Sequence, residues 1–210
     1  MRTNVYVDAF NLYYGCVKGT PYKWLDLATF FSLALPRNQI NRIRYFTAPV
    51  KARPHDPQQP TRQQAYIRAL LTLPNLTVHY GQFLESTATA RLATPLPDGT
   101  NTVRVIKTEE KGSDVNIACH LLVDAFDGDY DAAVIVSNDS DLTGPIDVVR
   151  KRFKKKIVVL MPCGGGRRMS VDLQKVASKA IPIDPAHLAA SQFPPQLSDA
   201  HGVIRKPASW

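Results

Sequence analysis

Cysteine is scarce in this sequence: Cys16, Cys119 and Cys163 are the only three among 210 residues. An odd number at wide spacing supports neither a disulfide framework nor a zinc ribbon, so the thiols read as free groups in a reducing compartment. Histidine is also thin, with five scattered residues, and a Cys/His metal site is not indicated. No apolar run approaches the roughly 18 residues that cross a bilayer; the longest, such as Ile157 to Pro162, are strand-sized. The segment Met1 to Asp8 lacks the apolar core of a signal peptide. These absences lead to the expectation of a cytoplasmic protein with no membrane contact.

What is present suits one globular domain, because 44% hydrophobic and 21% charged residues are enough for a core and a solvated surface. The net charge of +8 favours a polyanionic partner such as nucleic acid. The charge is not uniform, however. Ten of the 18 acids fall between Glu109 and Asp147, a stretch whose only Lys or Arg is Lys111. A concentrated acidic segment in a basic chain is what a metal-dependent nuclease requires, since carboxylates hold cations and a basic surround attracts phosphates.

Periodicity gives the architecture. Asn4 to Val7 reads as a short buried strand ending at Asp8, and Trp24 to Leu35 as an amphipathic helix stopped by Pro36. Arg42 to Thr47 and Leu76 to Phe83 follow as strands, with a helix from about Thr61 to Leu73 between them. The alternation breaks between Glu85 and Thr102, around the turn signal Asp98-Gly99, which suggests a β-hairpin insertion near residues 85–107. A helix over Ser113 to Phe126 then leads to the apolar strand Ala132 to Val136. The helix Pro145 to Phe153, the strand Ile157 to Met161 and a helix from Met169 to Ala180 complete the pattern. Strands alternating with helices predict an α/β fold, a parallel central sheet flanked by helices on both faces. The expected organisation is one domain over residues 1–180, followed by a partly ordered extension over 181–210.

In such sheets ligands bind beyond the carboxyl ends of the strands. Asp8 follows the first strand, Asp139 and Asp141 follow the strand ending near Ser137, and Asp114 opens the helix after Lys111-Gly112-Ser113. Helix capping and turn formation account for most such Asp residues taken singly, Ser140 and Asp141 most readily. Jointly, four strand-end carboxylates predict a site for Mg²⁺ or Mn²⁺, cations that take oxygen ligands and keep room for water and a substrate phosphate. Asn11 is placed to orient a water or phosphate oxygen through its amide.

Three segments carry a resemblance to a known family. Val7-Asp8-Ala9-Phe10-Asn11-Leu12-Tyr13-Tyr14-Gly15 is similar to the opening signature of NYN domains, which have the PIN-like (Rossmannoid) ribonuclease fold. Lys111-Gly112-Ser113-Asp114-Val115-Asn116-Ile117-Ala118 is similar to their second motif, and Tyr130 through Leu142, with Ser137-Asn138-Asp139-Ser140-Asp141, to their third. The LabA-like bacterial branch fits best. The resemblance implies a metal-dependent endoribonuclease acting on RNA, with ligand roles on Asp8, Asp114, Asp139 and Asp141 and a polar catalytic role on Asn11. A catalytically weak RNA-binding or regulatory module on the same fold is the alternative. Asn138 stands where the family usually has Gly, and Lys154-Lys155 where it commonly turns with Gly.

Candidate RNA contacts are the basic run Arg150 to Lys156, including Arg150, Lys151 and Lys154, together with Lys111, Arg167 and Arg168. A solvated helix end where cations complement the dipole is the alternative for the basic run, but six basic residues in seven are more than capping needs. Gly164-Gly165-Gly166 lacks the Lys-Ser/Thr of a P-loop, and no Gly-x-Gly-x-x-Gly follows the first strand, so nucleotide cofactors are not indicated. An exposed β arm would suit a homodimer.

Overall fold

The computed structural model describes residues 1–210. Six strands form the central parallel sheet: β1 (Arg2–Asp8), β2 (Gln39–Thr47), β3 (Leu76–Tyr80), β6 (Ala132–Val136), β7 (Lys156–Met161) and β8 (Lys179–Pro182). Their spatial order is β3-β2-β1-β6-β7-β8. Counting only these six, the order is 3-2-1-4-5-6, the doubly wound arrangement, and it reverses between β1 and β6. The ladder sets Val5 opposite Ile43 on one side and Val134 on the other.

The period of two along each strand divides the core. Val5, Val7, Val134 and Val136 face one layer, where they meet α2 (Leu27–Ala34) and α3 (Gln59–Leu70) through Phe30, Phe31 and Leu70. Tyr6, Ala133 and Ile135 face the other, against Ile117 and Leu121 of α4 (Ser113–Phe126), Ile146 and Val149 of α5 (Thr143–Arg152), and Leu173 of α6 (Val171–Val176). Burying such apolar side chains contributes about 1.5–3 kcal/mol each. In the second layer Arg44 clamps Asp124 through two hydrogen bonds of 2.8 and 2.7 Å, and Tyr6 donates its hydroxyl to the same carboxylate at 2.7 Å.

The insertion is a two-stranded antiparallel arm of β4 (Gln82–Arg91) and β5 (Thr102–Lys111), paired with each other and with no further strand. It begins earlier than hydrophobicity indicates. Gly81 ends the sheet strand, and Gln82 and Phe83 belong to the arm. A Cβ on Gly81 would lie 2.6 Å from the Lys111 carbonyl oxygen, so only glycine lets the two roots of the arm close there. The helix expected over Met169 to Ala180 is likewise shorter. It stops at Val176, and Ser178 turns the chain into β8 by donating its backbone N–H to the Ile157 carbonyl at 2.8 Å. Beyond β8, α7 (Pro185–Ala190) and the hairpin β9 (Gln196–Asp199) and β10 (Gly202–Arg205) pack back on the first layer, where Trp24 donates its indole N–H to the Pro194 carbonyl at 2.9 Å. No helix is long and apolar enough to cross a membrane.

Candidate active site

The switch point between β1 and β6 places Asp8 beside Ser137, Asn138 and Asp139. Asp8 caps α1 (Ala9–Leu12), a single turn that continues as a π-turn over Tyr13–Val17. Its Oδ1 accepts from the Asn11 backbone N–H at 3.0 Å, and its Oδ2 from the Asn11 side-chain amide at 2.9 Å and the Ser137 hydroxyl at 3.1 Å. Asn11 then accepts from the Asn138 N–H through Oδ1 at 3.2 Å, and the Asp139 N–H donates to the Ser137 hydroxyl at 3.1 Å. The two strand ends are thereby cross-linked by side chains. Asn11 is a positioning residue here, since it holds Asp8 and the β6 loop together.

Asp139 caps the short turn Ser140–Leu142 by accepting from the Asp141 N–H at 3.0 Å. The capping task therefore falls to Asp139, whereas Asp141 is exposed and free of that duty. Asp114 lies in the first turn of α4, behind Gly112, whose φ of 104° is left-handed. Burial pushes the Asp114 carboxyl up to about 6, with further contributions from the charges of Asp8, Asp139, Glu110 and Asp141. Burial also raises Asp8 against the lowering effect of its hydrogen bonds to Asn11 and Ser137, and the Asp139 charge adds to the rise. These mutual effects show that the four carboxylates and Glu110 share one electrostatic neighbourhood.

None of Asp8, Asp114, Asp139 or Asp141 takes part in an ion pair. Unneutralised oxygen donors of this kind match a hard divalent cation in charge and chemistry. Their side chains are not gathered into a finished ligand set, because no three His, Cys, Asp or Glu residues close on a common point. The fit is one of donor chemistry and charge.

The basic candidates separate by position. Arg167 and Arg168 are exposed on the loop after β7, and Asn138 ties that loop to the carboxylates by donating to the Arg168 carbonyl at 2.9 Å and accepting from the Ser170 N–H at 2.7 Å. Lys111 lies near Asp114 in sequence but is engaged by Glu109 at 3.3 Å. Arg150, Lys151 and Lys154 sit at the other edge of the sheet, because α5 starts beside the acids and runs to the amino end of β7. There Arg150 donates to the Val176 carbonyl, Lys151 pairs with Asp147 at 2.8 Å, and Lys154 forms the turn with φ 54°. Sequence reasoning did not single out Ser137 or Glu110. A hydroxyl ending a buried strand was the available signal for Ser137, and no local signal marked Glu110, which accepts from the Ser113 N–H at 3.3 Å and hydroxyl at 3.0 Å.

The family model of the NYN domain matches residues 2–184, which include every element of the site. The chain belongs to the NYN domain family. NYN domains are nucleases and typically use divalent metals. A second comparison gives 34% identity, over all of this chain and 75% of the relative, to 6-hydroxy-3-succinoylpyridine 3-monooxygenase HspA of Pseudomonas putida (strain DSM 28022 / S16). Among solved structures, a Vibrio parahaemolyticus protein of unknown function superposes with a TM-score of 0.54 at 21% identity, over 87% of this chain and 93% of that one. That likeness shows the α/β fold.

Proposed function

We propose that this NYN domain is a metal-dependent endoribonuclease hydrolysing RNA phosphodiester bonds, with Asp8, Asp114, Asp139 and Asp141 holding Mg²⁺ or Mn²⁺. The observation that carries the proposal is the convergence of four carboxylates without cationic partners at the switch point of a doubly wound sheet. Bound there, the cation would activate water and offset charge on the phosphoryl group. Asp8 is held in place for this by Asn11 and Ser137, and Asp139 by its own turn. Arg167 and Arg168 border the site and are suited to receiving the RNA backbone, together with Lys111 once it leaves Glu109. Arg150, Lys151 and Lys154 lie too far around the sheet to act on the scissile phosphate. Their role in this reading is to bind a distal stretch of the chain.

The test is cleavage of labelled RNA and DNA oligonucleotides by wild type and Asp114→Asn, each with Mn²⁺, with Mg²⁺ and with EDTA. RNA should be cut internally only with metal, and Asp114→Asn should reduce the rate by about 10²-fold or more, since removing one element of electrostatic stabilisation has effects of that order. RNA binding without cutting, unchanged in Asp114→Asn, would leave a regulatory RNA-binding module. A second reading, action on a small heteroaromatic compound, is supported by the name of the Pseudomonas relative and its match over the whole of this chain. Protein that is inert to both nucleic acids but consumes a hydroxypyridine would select it.

A further inference from the structure

Beside the turn that follows Asp8 the fold leaves a cavity of about 400 Å³, within the range of small-molecule sites. Its wall starts at Ala9 and Phe10, directly after Asp8, and continues through Tyr45 and Thr47 of β2, where Asp8 stands in register with Phe46. The lining is rich in rings, among them Tyr13, Tyr45, Tyr66 and Trp210. Some of these are fixed from behind. The Tyr66 hydroxyl donates to the Leu25 carbonyl at 2.9 Å, and Trp210 packs edge-on against Tyr66 at 5.9 Å and Trp24 at 6.2 Å. Tyr45 is a buried residue, yet its hydroxyl makes no hydrogen bond within the protein and is not sealed off in the core.

The charged groups of the lining are unequal. Arg62 is tied to Asp56, and the Gln63 amide is occupied by the Val50 N–H and the Ala48 carbonyl. Lys23 lines the cavity with no carboxylate partner. What remains open to a ligand is a ring-lined slot, the phenol hydroxyls of Tyr13, Tyr14 and Tyr45, and one ammonium group. Preformed aromatic walls favour a flat π-system, and a partly shielded cation favours an anion.

We propose that this cavity binds a planar heteroaromatic ring carrying an anionic group, with the ring among Tyr45, Tyr66 and Trp210 and the anion on Lys23. Such a ligand has two sources: a nucleotide, whose base enters the slot while its phosphate meets Lys23, and a free heteroaromatic acid. The proposal concerns binding and does not depend on phosphodiester cleavage. A nucleotide held here would lie beside Asp8.

The test is calorimetric titration in EDTA, where no turnover occurs. One arm uses uridine and adenosine 5′-monophosphates, the other nicotinate and 6-hydroxynicotinate, with pyridine and glutarate as probes lacking the anion or the ring. Saturable binding is expected in at least one arm, weakened about tenfold in Lys23→Gln and severalfold in Tyr45→Phe, with neither pyridine nor glutarate matching it. The arm that saturates at lower concentration names the source. Lys23 is partly exposed, so its variant should fold, and circular dichroism of both variants checks this. No saturation below roughly 10 mM in either arm, or affinity unchanged in folded Lys23→Gln and Tyr45→Phe, would overturn the proposal. Tight RNA cleavage with an empty cavity would still leave the nuclease reading standing.

Discussion

Asp114 bears the highest electrostatic cost among the site acids that retain no hydrogen-bond donor, being half-buried among Asp8, Asp139, Glu110 and Asp141. Its carboxyl is raised from 3.8 to about 6, so the folded protein takes up a proton more readily than the unfolded chain. Stability is therefore lost to this group as pH rises through about 6 and regained as pH falls toward 3.8. Metal-free Asp114→Asn should accordingly be more stable than wild type at pH 7.5, by about 1 kcal/mol once solvent screening is allowed for, with the gain vanishing below pH 4. Urea unfolding at the two pH values measures it, and an equal or lower midpoint at pH 7.5 would contradict the crowding described for this residue. Asp8, Asp139 and Asp141 could be picked out in the sequence because they stand just beyond apolar strands, where such sheets place ligands, and Asp114 because it opens a helix after Lys111-Gly112-Ser113. Ser137 and Asn138 were not, since their work is done by hydrogen bonds to residues more than a hundred positions upstream or thirty downstream, which no local pattern encodes. Asn138 does not adopt the left-handed geometry available to the glycine it replaces; the only non-glycine residue with positive φ is Lys154.

Among the elements, the turn after β1 is the most constrained. A Cβ on Gly15 would stand 2.5 Å from both the Pro162 side chain and the Pro162 carbonyl oxygen, and the Gly164 N–H donates to the Gly15 carbonyl at 2.7 Å. The π-turn that continues α1, and with it the Asp8–Asn11 turn, is thus fixed against the exit of β7 with no space for a methyl group at Gly15. Gly15→Ala should destabilise the protein by about 1–3 kcal/mol, the usual range for overpacking, and should slow any RNA cleavage by displacing Asp8. Denaturant melts and rate measurements read the two effects, and a fully stable, fully active variant would show that this contact is slack. Length misled the sequence reading of elements in two places. The six basic residues of Arg150 to Lys156 are contiguous in sequence with the acidic segment, but α5 carries them to the opposite end of the sheet strands, a separation that linear proximity hides. The apolar periodicity of Met169 to Ala180 joins a helix to an edge strand, because Val176, Ala177 and Ala180 all pack on the same layer from different elements.

At the scale of the whole molecule, alternating strands and helices were enough to give a parallel sheet, but not its order, since pairing between residues 3–7 and 132–136 leaves no trace in either segment alone. One long-range cluster should contribute to the acid limb of stability. His79 stacks on Phe46 at 4.9 Å and lies 4.2 Å from His120, with Arg44 and Asp124 beside them. Burial, then the charges of His120 and Arg44, lower His79 to about 4, and burial with Arg44 lowers His120. The unfolded chain thus binds protons first, and stability should fall as pH drops from 6.5 toward 4. Asp114 acts in the opposite direction over much of that window, so thermal melts of His79→Asn should show a shallower acid slope than wild type, and those of Asp114→Asn a steeper one. Identical slopes in all three proteins would remove both groups from the account.

The central position of β1 has a consequence for synthesis. Strand β1 gains its β6 neighbour only when residues 132–136 have been made, and the acids that stand together in the finished sheet are 131 positions apart along the chain, from Asp8 to Asp139. A nascent polypeptide therefore carries no assembled cluster until synthesis has passed residue 139. A fold that gathers distant residues in this way separates the start of translation from the assembly of its carboxylate cluster.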